Sequence, residues 1–181
     1  MKGMVFVELL GMAEDALGEE AVDSILDQLD LSTGGAYSSV GNYPCSELMR
    51  IVEAVSEVSG LPTDKLQRMF GNWIHGRFVK SYPAFFEDKE NVLQMLDAIE
   101  NEVHVEVRKL YPDAELPSFE TEWRGDRAIT MRYSSERPLA EFCHGMIEAC
   151  AAHFGHPAEI LVTDRSEEGR NRADFDIRLT G

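Results

Sequence analysis

Two groups of side chains in this sequence have the types and spacing to do chemistry. The first is His104, which stands in the apolar segment VHVEV. Such an imidazole is either a boundary residue hydrogen-bonded to a backbone carbonyl or a metal ligand through one ring nitrogen. The second is the motif YSSER, in which Tyr133, Ser135 and Arg137 alternate and therefore project to one side of an extended segment. A phenol, a hydroxyl and a guanidinium on one side form a donor cluster suited to carboxylates or phosphate.

The element that must position His104 is a helix predicted from about residue 89 to about residue 110. Asp88 is expected to cap this helix, and Pro112 is expected to end it because the residue before a proline avoids the helical region. At about 100° per residue, His104 falls at the edge of the apolar stripe of the helix. The stripe recurs at three- and four-residue steps and consists of Leu93, Leu96, Val103, Val107 and Leu110.

The rest of the chain separates into a helical half and a half that contains strands. Four amphipathic helices are expected before the His104 helix, at about 3–13, 19–29, 45–58 and 64–80. After Pro117 the apolar period changes to two, which predicts a hairpin with its turn at Gly125-Asp126. A helix at about 138–154, with Pro138 in its first turn, and strands around 160–162 and 175–179 complete the pattern.

This order of helices first, then strand-strand-helix-strand-strand, predicts an α+β fold with a four-stranded antiparallel sheet. We expect one domain over 1–181. It contains a helical subdomain of about 1–82, packed on a subdomain of about 83–181 that holds the sheet and further helices.

Composition and charge limit the classes of partner. With 181 residues and 44% hydrophobic residues, the chain is expected to form an ordinary folded domain. Its 17 Lys and Arg residues against 33 Asp and Glu residues give a formal net charge of −16, which opposes binding to nucleic acid or anionic membrane surfaces. No membrane insertion is expected, because no apolar run is long enough to span a bilayer. We expect a cytoplasmic protein in which Cys45, Cys143 and Cys150 are reduced thiols.

The helical histidine, the YSSER motif about thirty residues later and the start MKGMVF together resemble the heme-nitric oxide/oxygen binding (H-NOX) family. That family includes the heme domain of soluble guanylate cyclase and stand-alone bacterial gas sensors. The resemblance covers nearly the whole chain and implies heme b (iron protoporphyrin IX) between the two subdomains. It implies that His104 is the axial ligand of the iron and that Tyr133, Ser135 and Arg137 hold the propionates. Pro117 matches a proline that presses on the porphyrin and bends it.

The resemblance also implies which residues form the wall of the pocket in which the gas binds. The matching positions are all apolar, namely Val5, Leu9, Ile74, Phe78, Phe142 and Met146. Oxygen-binding members carry a tyrosine five positions after the motif's arginine, where this chain has Phe142, and a helping amide where it has Ile74. Bound O₂ carries partial negative charge and is stabilised by a hydrogen-bond donor. This wall therefore predicts a sensor that binds NO and CO and excludes O₂.

The family mechanism is ligand-driven release of strain, in which the histidine leaves the iron and the helical half shifts against the sheet half. The chain contains no kinase, cyclase or phosphodiesterase sequence and no phosphate loop, GxSxG or HExxH motif, so no enzyme activity is expected. The expected partner is a separate signalling protein, and the resemblance points to a histidine kinase or a cyclic-di-GMP enzyme.

Two other functions compete with the heme sensor. The Cys and His residues of the helix at about 138–154 suggest zinc, but Cys143 and Cys150 lie about 10 Å apart along a helix, too far for one ion. No Cys or His follows His156 to complete such a site. The remaining alternative is a protein interaction module of the same fold, either heme-free or dependent on a thiol or a metal, and a featureless visible spectrum would favour it.

Overall fold

The structure is a computed structural model that describes residues 1–180. Up to residue 110 all the regular elements are helices, and strands with one long helix follow. The helices are α1 (Gly3–Leu17), α2 (Glu19–Asp27), α3 (Cys45–Ser59), α4 (Thr63–Ser81), α5 (Ala84–Glu87), α6 (Val92–Ala98), α7 (His104–Leu110) and α8 (Ala140–His153). The π-helical segment Ile99–Val103 joins α6 to α7. The strands are β1 (Ser118–Trp123), β2 (Ala128–Ser135), β3 (Ala158–Asp164) and β4 (Asn171–Leu179).

The four strands form one antiparallel sheet in the order β1-β2-β4-β3. Tyr133 of β2 stands opposite Phe119 on one side and Ala173 on the other, and Met131 stands opposite Phe175. The side chains that alternate along one face of β2 and β4 are buried, as expected for a sheet with one face against a core. The predicted α+β fold with a four-stranded antiparallel sheet is confirmed.

Two apolar cores divide the molecule. The helical core is built on α1 to α4 and is centred on Phe6, Leu9, Leu48, Ile51 and Ile74. The sheet core lies between the sheet and the helices α6 and α8 and is centred on Leu93, Leu96, Met131, Ile147 and Phe175. Helix α8 serves both, because Phe142 and Met146 pack on the helical core while Cys143 and Ile147 lie in the sheet core.

Helices α4 and α8 are in backbone contact where they cross. A Cβ atom on Gly71 would lie 2.1 Å from the carbonyl oxygen of Phe142, and one on Gly145 would lie 2.0 Å from that of Arg68. Only glycine permits this approach at the two positions. The crossing therefore fixes Phe142 beside α4, which carries Ile74 and Phe78.

The structure corrects several details of the predicted helices, including the end of α1, which lies at Leu17. The helix predicted over about 89–110 is two α-helices joined by the π-helical segment. Its N-terminus is capped by Asn91, whose side chain accepts a hydrogen bond from the backbone N–H of Gln94 at 3.1 Å. Asp88 instead pairs with Lys89 at 2.9 Å. Helix α8 begins at Ala140, so Pro138 precedes it.

Within residues 1–180, no helix is both long and apolar enough to cross a membrane.

Candidate functional site

His104 is the first residue of α7 and is held by the π-helical segment before it. Its backbone N–H donates to the carbonyl of Ile99, five residues earlier, so the chain makes one wide turn here. Such single π turns occur frequently at functional sites. The side chain of His104 is buried, with only 8% of the residue exposed. Its ring lies 5.6 Å from the ring of Phe119 on β1.

The two nitrogens of His104 differ in their surroundings. Nδ1 lies 3.0 Å from Oε2 of Glu100, one turn earlier. A carboxylate only accepts hydrogen bonds, so Nδ1 carries the proton and Nε2 keeps the lone pair. No protein atom in residues 1–180 forms a hydrogen bond with Nε2. This arrangement leaves Nε2 available as a metal ligand.

The electrostatics keep His104 neutral and Glu100 charged. Burial lowers the pKa of His104, and this outweighs the Glu100 carboxylate, which would raise it. Burial alone would raise the pKa of Glu100. Hydrogen bonds from Arg108, His104 and the backbone of Phe119 reverse that effect and lower it. A neutral imidazole is the form that binds a metal ion.

The three residues of the YSSER motif come together where β2 ends. The hydroxyl of Tyr133 donates to the carbonyl of Arg137 at 3.1 Å, and the N–H of Arg137 donates to Oγ of Ser135 at 3.0 Å. Burial raises the pKa of Tyr133 to about 12, so its hydroxyl is a neutral donor. The Arg137 guanidinium donates to the carbonyl of Glu115 at 2.8 Å and pairs with its carboxylate.

Pro117 stands in a short segment anchored at both ends. On one side Glu115 is bound by Arg137, and on the other the backbone N–H of Phe119 donates to Glu100 at 3.2 Å. The segment thus links the motif to the partner of His104. Phe119 completes the link, because its ring lies between those of His104 and Tyr133, 5.8 Å from the latter.

The six positions predicted for the gas-facing wall all lie in the helical core. Leu9 and Ile74 are buried, whereas the other four are partly buried against it. They come from three elements, with Val5 and Leu9 on α1, Ile74 and Phe78 on α4, and Phe142 and Met146 on α8. The ring of Phe142 packs against that of Phe70 at 5.1 Å.

The tyrosines of the helical core have other partners. The hydroxyl of Tyr37 donates to Glu47 at 2.8 Å, and the hydroxyl of Tyr43 accepts from the N–H of Ser38 at 2.9 Å. The ring of Tyr37 stacks on Phe6, and the ring of Tyr43 meets Phe6 edge-on. Their hydroxyls are therefore engaged at the loop and α3 side of the core.

The donor set fits a heme. A neutral imidazole with a free lone pair suits the iron, the Tyr133, Ser135 and Arg137 donors suit two carboxylates, and the apolar wall suits a diatomic gas. A separate metal ion has no comparable set, because no cluster of three His, Cys, Asp or Glu side chains within residues 1–180 could hold one. Burial raises the pKa of both Cys143 and Cys150 to about 12, which makes them poor nucleophiles.

Sequence reasoning missed Glu100 and the π-helical segment. A signal for Glu100 was present, since it precedes His104 by four residues and residues at this spacing share a helix face. No comparable signal marked the π turn.

Comparisons with known proteins give one family model and several similar solved structures. A family model described as Haem-NO-binding matches residues 2–162. The Fe(II) unliganded H-NOX protein from K. algicida is 35% identical, with 100% of this chain and 97% of that chain covered and a TM-score of 0.94. The H-NOX from Shewanella woodyi, solved bound to IWP-051 in the Fe(II)CO ligation state, is 36% identical, with coverages of 99% and 95% and a TM-score of 0.84.

A mutant of the T. tengcongensis H-NOX is 22% identical, with coverages of 100% and 98% and a TM-score of 0.89, and this likeness shows the fold alone. No curated protein sequence matches the chain.

Proposed function

Because the chain belongs to the Haem-NO-binding family, whose H-NOX members are heme-based gas-sensor domains, we propose that it binds heme b and senses NO. When bound, heme supplies a ferrous iron with an open coordination position for a diatomic gas. The observation that carries the proposal is the buried, neutral His104, with its Nδ1 committed to Glu100 and its Nε2 left without a protein partner.

In this proposal, different residues of the chain bind the iron, the propionates and the porphyrin of the heme. His104 ligates the iron through Nε2, and Tyr133, Ser135 and Arg137 bind the propionates. Arg137 now pairs with the carboxylate of Glu115, and a propionate would be a carboxylate of the same charge in its place. Pro117 contacts the porphyrin from the anchored segment. We place the heme between a helical subdomain of about 1–82 and a subdomain of about 83–181.

The apolar wall sets the selectivity. NO and CO bind ferrous heme without a hydrogen-bond donor, whereas bound O₂ is stabilised by one. Val5, Leu9, Ile74, Phe78, Phe142 and Met146 offer no side-chain donor. We therefore infer that the protein binds NO and CO and excludes O₂. The CO-ligated state of the S. woodyi relative supports CO as a ligand.

The output is a change in a separate signalling protein, a histidine kinase or a cyclic-di-GMP enzyme of a bacterial cytoplasm. The 181 residues carry no catalytic motif of their own, which supports a sensor without enzyme activity. The three cysteines are unpaired, as expected in a reducing compartment.

An absorption spectrum tests this function. The reduced protein, expressed with adequate heme supply, is measured under argon, then in air, and then with CO or NO. We expect a five-coordinate ferrous heme that air leaves unchanged in form and that either CO or NO converts. His104→Ala is expected to lose this spectrum. A stable O₂ complex contradicts the apolar-wall argument, and a protein without heme absorbance favours the heme-free interaction module.

A further inference from the structure

We propose that Glu100 is a positioning residue that accepts the Nδ1–H of His104 and so strengthens the bond between His104 and iron. This inference rests on the proposed function, because it requires that His104 is the ligand. Its first basis is the 3.0 Å distance between Nδ1 of His104 and Oε2 of Glu100, which is a hydrogen bond between an imidazole and a carboxylate.

The carboxylate of Glu100 is held in place from two further directions. Nη2 of Arg108 donates to Oε1 at 2.8 Å, and the backbone N–H of Phe119 donates to Oε2 at 3.2 Å. Both oxygens thus accept hydrogen bonds, one from a side chain on α7 and one from the backbone of β1. A side chain held by three donors has little freedom to turn away from His104. The contact is therefore part of the folded site.

This contact has two chemical consequences. A carboxylate that accepts the imidazole N–H fixes the tautomer and the ring orientation, and it makes the other nitrogen more basic. A more basic Nε2 binds iron more tightly. The negative charge also favours the ferric over the ferrous state, which lowers the reduction potential. Glu100 would thus set how strongly His104 holds the iron.

The first test compares Glu100→Gln and Glu100→Ala with the wild type as heme-loaded proteins. Resonance Raman measures the iron–histidine stretching frequency of the ferrous form, and a spectroelectrochemical titration measures the midpoint potential. We expect the frequency to fall and the potential to rise, with alanine changing both more than glutamine, which still offers a neutral acceptor. In the NO complex, the equilibrium constant for loss of His104 is expected to rise about ten- to hundredfold in Glu100→Ala.

Glu106→Gln is the matched control. It removes the same charge two residues after His104, but Glu106 is exposed and pairs with Lys109 at 2.6 Å instead of with His104. We expect its iron–histidine frequency to equal that of the wild type. A frequency that shifts equally in Glu100→Gln and Glu106→Gln would overturn the proposal.

A second test uses His104→Gly with added imidazole or 1-methylimidazole. Both bases can ligate iron, but 1-methylimidazole lacks the N–H that Glu100 accepts. With imidazole, adding Glu100→Gln is expected to lower the iron–ligand frequency, and with 1-methylimidazole it is expected to have no effect. Equal effects with both bases overturn the role of Glu100. If His104→Gly itself leaves the heme spectrum unchanged, the proposed ligand fails, which is a separate result.

Discussion

Phe142 is the residue at which gas selectivity is expected to change. Its ring packs on α4 at the helical core and presents no donor. Phe142→Tyr adds one hydroxyl there, and a hydrogen bond to bound O₂ contributes about 1 kcal/mol or more. We therefore expect the reduced variant to form an O₂ complex in air, seen as a changed absorption spectrum, with a gain in O₂ affinity of roughly tenfold.

The control for this change is Phe119→Tyr. It adds the same hydroxyl on the side of His104, where the ring of Phe119 lies 5.6 Å from the imidazole. Phe119 packs on the sheet core and is not one of the wall positions, which lie in the helical core, so no O₂ complex is expected. An aerobic spectrum of Phe142→Tyr identical to that of the wild type would count against the assignment of the gas-facing wall.

His75 is expected to make the fold sensitive to acid. It is buried on α4 against Phe86 and His153, and its Nε2 is without a partner in residues 1–180. Burial, and then the charge of His153, lower the pKa of His75 from 6.5 to about 4. Between these values the unfolded state takes up a proton that the folded state rejects. Stability is therefore lost as the pH falls, by about 3 kcal/mol at pH 4.

Urea unfolding from neutral pH to about pH 4 measures this loss. His75→Gln removes the titrating group and is expected to lose less stability on the acid side than the wild type. His156→Gln, at an exposed position, is the comparison for a surface histidine. Parallel curves for the wild type and His75→Gln would show that His75 does not supply the acid sensitivity.

At the scale of elements, the crossing of α4 and α8 is expected to tolerate no added atom. Gly145→Ala would place a methyl group 2.0 Å from the carbonyl oxygen of Arg68, so the two helices must separate. Overpacking of this kind costs about 1–3 kcal/mol, and thermal unfolding should show it as a lower Tm.

Gly76→Ala is the matched control on α4. Its added methyl group meets no atom within 4 Å, and alanine favours a helix over glycine by about 1 kcal/mol. We expect this variant to be more stable than the wild type. Equal Tm values for Gly145→Ala and the wild type would mean that the helices part at little cost.

The elements also show which parts of the fold the sequence predicts. The spacing of the apolar residues predicted the helices and the hairpin, because burial of one face dominates the energetics of these elements. The spacing of apolar residues did not predict the π turn before His104, because that turn depends on contacts with residues distant in sequence. Glu100 is bound by Phe119 of β1, and this pairing is visible only after folding. Asn91 was missed as the cap because Asp88 has an equally suitable side chain.

At the scale of the whole molecule, the candidate site draws on both halves of the chain. The wall positions come from α1, α4 and α8, and no spacing rule brings Val5 and Met146 together. They were predicted because the sequence resembles a family, and periodicity alone would not have found them. Glu100 was not predicted, because an acidic residue one turn before a histidine is commonplace on helix surfaces. The proposed role of Glu100 follows only from the folded structure, in which one carboxylate oxygen contacts His104 and the other accepts from Arg108.

The charge of the whole molecule yields the last prediction. At −16 the folded chain repels itself, and salt weakens this repulsion because the Debye length falls from about 30 Å at 0.01 M to about 8 Å at 0.15 M. We expect Tm to rise over this range. Asp23 on α2 and Glu57 on α3 are exposed, so their charges can be changed with little effect on packing.

The double variant Asp23→Asn with Glu57→Gln removes two negative charges, and Asp23→Lys with Glu57→Lys changes the total by twice as much. If repulsion dominates, the rise of Tm with salt is largest in the wild type. It is smaller in the Asn/Gln double variant and smallest in the double variant with two lysines. The wild type also has surface ion pairs, such as Arg77 with Glu8 at 3.2 Å, that salt weakens. A Tm that falls with salt in all three proteins would show that these pairs outweigh the repulsion.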